Sequence, residues 1–482
     1  MFDLRPAGYV IGWLILALGV SMLIPFLTDL GTGSPEPLNF AFSVLFSILM
    51  GGALVLTCAN AERERLSLQQ IFILTSGVWI VLPVFGALPF MAGADGLGFT
   101  DAVFEAVSAM TTTGSTVMTG LSDLPKGILL WRGMLQWFGG VGIVVVAMVF
   151  LPELRVGGMQ IFRSEGFDTY GKILPRAAQI ARSVSTIYFG LTLACLVSYS
   201  FAGLNFFDAL VHSMTTLATG GMANYDDSFK SLGAGAEYVA VVFMLLASLP
   251  FVRYVQLLGI DAGPLLRDPQ VRAFLISVMF LILFLTVWRS VFITTNFEEA
   301  IRKSLFNGIS ILTGTGFASE NYMLWGSFPV AILFFAGLVG GCAGSTTCSV
   351  KIFRYQILFA AVRTQVRRLQ SPHGVFQPKY SGVRIDDDVL NSVIAFFIFF
   401  VISLIVIAVL LAMTGLDAVT SISGAVASLA NIGPGLGPVI GPAGNYASLN
   451  IVAKWILVLS MLLGRLELMA VFVLFTANFW RR

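Results

Sequence analysis

The chain has 482 residues, 57% of them hydrophobic and only 11% charged, with a formal net charge of +2. A soluble domain of this size carries about 25% charged residues, so a mainly water-facing surface is excluded, and a nucleic-acid partner is not expected. Apolar runs of about 20 residues, enough to cross a bilayer, recur from end to end, and no polar stretch is long enough to fold separately.

In chain order, membrane helices are predicted near 9–28, 38–58, 71–92, 128–151, 184–203, 236–258, 273–293, 327–367 (interrupted), 390–413 and 451–478. The first follows Arg5 and is read as a retained helix, because it is long and no small-residue cleavage site follows it. Ten crossings put both termini on one side. With that side cytoplasmic, 20 Lys and Arg residues lie inside and 7 outside (Lys126, Arg132, Lys230, Arg289, Arg302, Lys303 and Lys454), with Arg465 inside a helix. This is the bias of the positive-inside rule. It predicts a multi-pass protein of the lipid bilayer with both termini in the cytoplasm.

Between several of these pairs lies a shorter, less apolar segment that ends in Thr, Gly and Ser. Stretches of 101–114, 208–221, 303–316 and 420–433 align without gaps and all end in glycine, at Gly114, Gly221, Gly316 and Gly433. The pattern is a helix–pore loop–helix unit repeated four times. The expected fold is all-α and polytopic, with four such units around one pore. The expected boundaries are 1–66 for an extra N-terminal helix pair, then 67–155, 180–260, 270–370 (with a broken second helix) and 385–482 for the repeats. Asp101 and Asp208 are expected to cap the re-entrant helices at their N-termini.

Ion dehydration gives this pattern its chemistry. An ion crossing the bilayer exchanges its water shell for other oxygens, and rings of backbone carbonyls supply them. Irregular backbone at membrane depth survives only where it is buried in protein or lines a water-filled path. Glycine at the fourth loop position adopts dihedrals closed to other residues, and the short helix before each loop turns its negative end toward a cation. The candidate filter residues are Thr112, Thr113 and Gly114; Thr219, Gly220 and Gly221; Gly314, Thr315 and Gly316; and Asn431, Ile432 and Gly433. No carboxylate lies among them, which favours carbonyl coordination over a ring of Asp or Glu.

The four cysteines (Cys58, Cys195, Cys342 and Cys348) show no paired spacing and read as free thiols. The two histidines, His212 and His373, belong to no nucleophile, metal or acid–base cluster, so no enzyme is expected; His212 reads as a structural hydrogen-bonding residue.

The segments Thr111–Gly114, Ala218–Gly221, Thr313–Phe317, Asn431–Gly437, Gly340–Thr346 and Gly464–Glu467 resemble the Trk/Ktr/HKT superfamily of potassium transporters. The extra helix pair before the first repeat fits the bacterial TrkH/TrkG branch. The resemblance implies a potassium-selective filter, with K+ bound at the filter residues above, in a cell inner membrane. It also implies a homodimer with one pore per subunit and a cytoplasmic TrkA-type regulatory ring. That ring binds the nucleotide (NAD or ATP/ADP), and no cofactor is expected in this chain. Gly114 in the first loop points to K+ rather than Na+. Two departures stand out: Gly314 where a threonine is usual, and Cys348-Ser349 where two glycines are expected. The first is expected to loosen selectivity and the second to stiffen the loop that contains it. The rival reading is a K+ symporter coupled to H+ or Na+.

The interrupted span carries Gly340, Gly341, Gly344, Ser345 and Thr346, small residues expected to form a loop just below the filter. It lacks the Gly-Lys-Ser/Thr ending of a phosphate loop. Arg465 is a lone guanidinium in an apolar span, and such a charge faces a water-filled cavity or a partner. About 8 Å from a cation, at an effective dielectric of about 20, it repels by roughly 2 kcal/mol. Arg465 and the loop are therefore the expected gate, and Glu467, two residues on, is a poor partner for Arg465.

Overall fold

The computed structural model describes residues 3–34, 38–60, 67–92, 96–149, 177–258, 263–466 and 468–480. Glu467 and eight of the counted cations (Arg63, Arg65, Arg155, Arg163, Lys172, Arg176, Arg481 and Arg482) lie outside these residues.

A chain of Leu, Ile, Val and Phe in lipid must satisfy its backbone within the helix, and the protein is an all-α polytopic membrane protein. Among the described residues, eight helices are long and apolar enough to cross a membrane. The two remaining predicted crossings are each split: Ser327–Gly337 from Ile352–Gln370, and Ile451–Arg465 from Leu468–Leu474. A short antiparallel hairpin, Lys379–Tyr380 with Val383–Arg384, adds the two β segments that the sequence did not announce. In seven of the eight helices, 28–39% of the apolar window is buried, and Leu45, Phe280, Phe284, Val406 and Leu410 face outward as a lipid-facing surface. In Lys126–Val146 the figure is 67%, which makes it the innermost span.

The N-terminal pair, Arg5–Ser21 and Leu38–Thr57, crosses where Gly12 meets Gly51. A Cβ on Gly51 would lie 3.0 Å from the Gly12 oxygen, so the two backbones approach through small residues. A further helix between them, Leu23–Thr32, is tied to the central span by its Asp29 carboxylate, which accepts from the Gly127 amide at 2.6 Å.

After it come four short buried helices, Phe99–Met110, Phe206–Leu217, Phe297–Leu312 and Ala418–Leu429, each between two longer helical stretches. Asn205, Asn296 and Asp417 cap the second, third and fourth, accepting from the amides of Asp208, Glu299 and Thr420. The expected capping role of Asp101 and Asp208 is therefore corrected. Asn205 takes the extended cap position, which leaves Asp208 in the first turn, bonded to Asn205, Asn224 and Tyr225. Asp101 likewise lies in the first turn, after Gly98, and pairs with Lys454 at 2.7 Å.

The second helix is broken in more than the third unit. In the second unit it stops at Ala247 and resumes at Phe251, because Pro250 has no amide to give and its ring clashes with the preceding turn. In the fourth it stops at Arg465. The sequence assigned a break to the third unit alone.

Five of the seven cations assigned to the outer side are ion-paired. Arg132 meets Glu105 at 2.8 Å, Glu237 holds both Arg302 (2.7 Å) and Lys303 (2.6 Å), Arg289 meets Glu320, and Lys454 meets Asp101. Arg132 and Glu105 are 2% and 0% exposed. Removing one partner of such a buried pair strands the other charge and costs about 3–5 kcal/mol. Glu105→Ala is therefore expected to lower the thermal midpoint of the detergent-solubilised protein markedly, whereas Glu298→Ala, at an exposed pair, leaves it nearly unchanged.

Candidate functional site

The four short helices end in one shared hydrogen-bond pattern. The amides of Thr113, Gly220, Thr315 and Ile432 reach five residues back, to the carbonyls of Ser108, Thr215, Ser310 and Ala427, at 2.8–2.9 Å. Those of Thr112, Thr219, Gly314 and Asn431 reach three back, to Ala109, Thr216, Ile311 and Ser428. This is the Schellman termination, whose penultimate residue is left-handed. The φ values of Thr112, Thr219, Gly314 and Asn431 are 53°, 47°, 72° and 52°. A side chain there costs roughly 1–2 kcal/mol, so Gly314 is the one unstrained member of the set.

The next two residues close a ring. Gly114, Gly221, Gly316 and Gly433 have φ of 85°, 79°, 84° and 95°. A Cβ on Gly114 would lie 2.3 Å from the Gly220 oxygen, and one on Gly221 would lie 2.0 Å from the Thr315 oxygen. One on Gly316 would lie 2.0 Å from the Ile432 oxygen, and one on Gly433 2.7 Å from the Thr113 oxygen. Each unit's glycine therefore rests on the next unit's carbonyl, in the order one, two, three, four and back to one. All twelve candidate filter residues meet here. Each helix also brings the equivalent of roughly half a negative charge at its C-terminus. The glycines line the mouth of a cavity of about 130 Å3, together with Arg132, Tyr225 and Tyr446.

Several ring contacts had no signal in the sequence. Tyr446, in a Gly/Pro-rich loop, and Ser115 both donate to the Gly433 oxygen, at 2.7 and 2.9 Å. The Asn431 side-chain amide donates to Thr113 Oγ1 and the Met461 oxygen. Beside the mouth, burial and then the Asp208 carboxylate push the Tyr225 hydroxyl up to about 12, so it stays a donor to Asp208 at neutral pH. His212 is buried, with Nδ1 2.8 Å from the Asp208 oxygen.

Residues 338–351, which include Gly340, Gly341, Gly344, Ser345 and Thr346, run as a loop that meets the ring segments at their first positions, Thr112 and Thr219, and is not among the residues lining that cavity. The loop touches all four units. Cys348 Sγ lies 3.7 Å from Thr112 Oγ1, and Thr219 Oγ1 donates to Thr346 Oγ1 at 3.2 Å. Cys348 Cβ is 3.9 Å from where a Gly314 Cβ would stand, and the Ser349 amide donates to the Ala430 oxygen at 3.2 Å. Gly340 and Gly344 take left-handed φ of 74° and 71°. Ser345 and Thr346 are fully buried, and Ser345 Oγ donates to the Cys342 oxygen at 2.6 Å.

Arg465 is 3% exposed and points into this loop. It donates to the oxygens of Thr346 (3.4 Å) and Gly139 (3.1 Å) and to Cys348 Sγ, and its guanidinium lies 5.4 Å from the Trp79 ring. Cys348 thus joins the first unit's loop to Arg465. The four cysteines are free.

The profile of the TrkH cation transport proteins matches residues 37–482. The chain is 43% identical over 98% of its length to the Trk system potassium uptake protein TrkI of Halomonas elongata, covering 95% of that protein. It is 36% identical to the Trk system potassium uptake protein TrkH of Escherichia coli K12, over 99% of both chains. The crystal structure of the potassium transporter TrkH from Vibrio parahaemolyticus superposes with a TM-score of 0.91 at 32% identity, over 100% of both chains. The chain belongs to the TrkH family of cation transport proteins.

Proposed function

We propose that the protein takes up potassium across the bacterial inner membrane through the four-unit ring, with carbonyl oxygens standing in for the ion's water. The observation that carries this reading is the closed cycle of glycine-on-carbonyl contacts, which leaves no room for a side chain at any fourth position. Backbone oxygens and four helix C-termini favour a cation without a fixed carboxylate to trap it. The relatives named for potassium uptake support the choice of ion.

The loop at 340–349 and Arg465 form the gate of this path. The loop lies across the ring, and Arg465 adds positive charge on the same side. It continues directly into Ile352–Gln370, whose far end exposes Arg363, Arg367 and Arg368. A cytoplasmic TrkA-type ring that binds NAD or ATP/ADP and shifts this helix shifts the loop with it. The working unit is a homodimer with one pore in each subunit.

In liposomes, a K+ gradient alone is expected to drive uptake with no H+ or Na+ gradient; strict dependence on either would favour the symporter. Gly114→Ser adds a Cβ where only 2.3 Å is available, and should lower the K+/Na+ flux ratio about tenfold, equivalent to about 1.4 kcal/mol. Arg465→Ala removes a repulsion of roughly 2 kcal/mol and should raise basal flux on the order of tenfold. Unchanged flux, or unchanged control by the regulatory ring, would remove Arg465 from the gate.

A further inference from the structure

At the third ring position stand Thr113, Gly220, Thr315 and Ile432, so one unit lacks a side chain there. Another unit supplies it. Gln136, on the innermost span, is fully buried; its Nε2 donates to the Gly220 oxygen and its Oε1 accepts from the Met222 amide at 3.2 Å. A Cβ on Gly220 would lie 2.4 Å from Gln136 Cδ and Oε1 and 2.7 Å from Nε2. The glutamine occupies the space behind the second unit's loop segment 219–222 and contacts that segment on both sides of Gly221.

The grip does not pull Gly220 out of line. Its oxygen rests against Gly114 as the Thr315, Ile432 and Thr113 oxygens rest against Gly221, Gly316 and Gly433. A carbonyl oxygen has two lone pairs, so it can accept the amide and still face an ion. The amide hydrogen places partial positive charge behind that ligand, in surroundings of low dielectric where it is poorly screened. The field this one carbonyl offers a cation is therefore weaker. A weaker field favours the ion that is cheaper to dehydrate, potassium over sodium. The hydroxyls of Ser115 and Tyr446 act at the fourth position, on Gly433, so Gln136 has its own level in the ring.

We propose that Gln136 is a selectivity-determining positioning residue, which holds the Gly220 carbonyl in the ring and tunes it toward potassium. The proposal rests on the ring being the ion path. Its test is the K+/Na+ flux ratio of the full-length protein in liposomes. Gln136→Met and Gln136→Leu each remove both contacts while keeping an apolar side chain of similar size. Both should lower the ratio by about fivefold or more. Gly220→Ala should abolish flux, and adding Gln136→Ala should restore part of it by opening the space. Gln136 variants that transport with the wild-type ratio, while Gly114→Ser shifts it, would overturn the proposal and spare the filter. A ratio unmoved by Gly114→Ser as well would overturn the filter reading itself. If neither Gln136 variant folds, failure of Gln136→Ala to rescue Gly220→Ala is the contrary result.

Discussion

Backbone that leaves the helix inside a bilayer must find its hydrogen bonds in protein, and this requirement organises the centre of the molecule. Two breaks and the end of a short helix meet at one place and satisfy one another. Pro250 ends a helix and frees the carbonyls of Ala247 and Ser248, which accept from the amides of Thr346 and Cys342. The Phe251 amide, at the restart of that helix, donates to Gly344, and the Ala430 carbonyl, at the end of the fourth short helix, accepts from Ser349. The same segment that lies across the ring is thus the one that satisfies its neighbours, so displacing it costs hydrogen bonds in the second and fourth units together. Under the gating reading proposed above, opening the path means breaking these bonds.

The four units share a Schellman termination followed by a left-handed glycine, and everything else differs. Thr112, Thr219 and Asn431 bear left-handed strain that Gly314 does not. The expectation that Gly314 loosens selectivity thus meets a physical counterweight: its backbone adopts the common geometry without a side-chain penalty. Cys348, the other departure, packs between Thr112 and Arg465, where glycine would leave a gap. Inequality among the units divides the labour: one lends a side chain to its neighbour's ring position, one supplies the loop, and one supplies the charge.

The sequence revealed what a single residue can encode. A position that demands both positive φ and the absence of a Cβ admits only glycine, so Gly114, Gly221, Gly316 and Gly433 could be found by gapless alignment. The small residues of the 340–349 loop and the isolated Arg465 were legible for the same reason, as local violations of what lipid tolerates. Features that depend on which segments meet were not legible. Pro250 lies in an apolar run that reads as one span at 236–258; because Pro83 is carried inside a helix, a proline alone does not mark where a span breaks, and the groups freed at Pro250 are paired by a loop about ninety residues away. Asp208 fits a cap by residue type, but Asn205, three residues earlier, holds that position. Gln136 and Tyr446 touch the ring through tertiary register alone, and the outer cations gave no hint that five of them are neutralised.

If the ring is the ion path, the cation rests inside its third-position carbonyls. Crystals grown with thallium or rubidium, as anomalously scattering stand-ins for potassium, test it directly. Density is expected on the ring axis, coordinated by the oxygens of Thr113, Gly220, Thr315 and Ile432 and lost when sodium replaces the heavier ion. An empty ring with ions bound elsewhere in the span would contradict it.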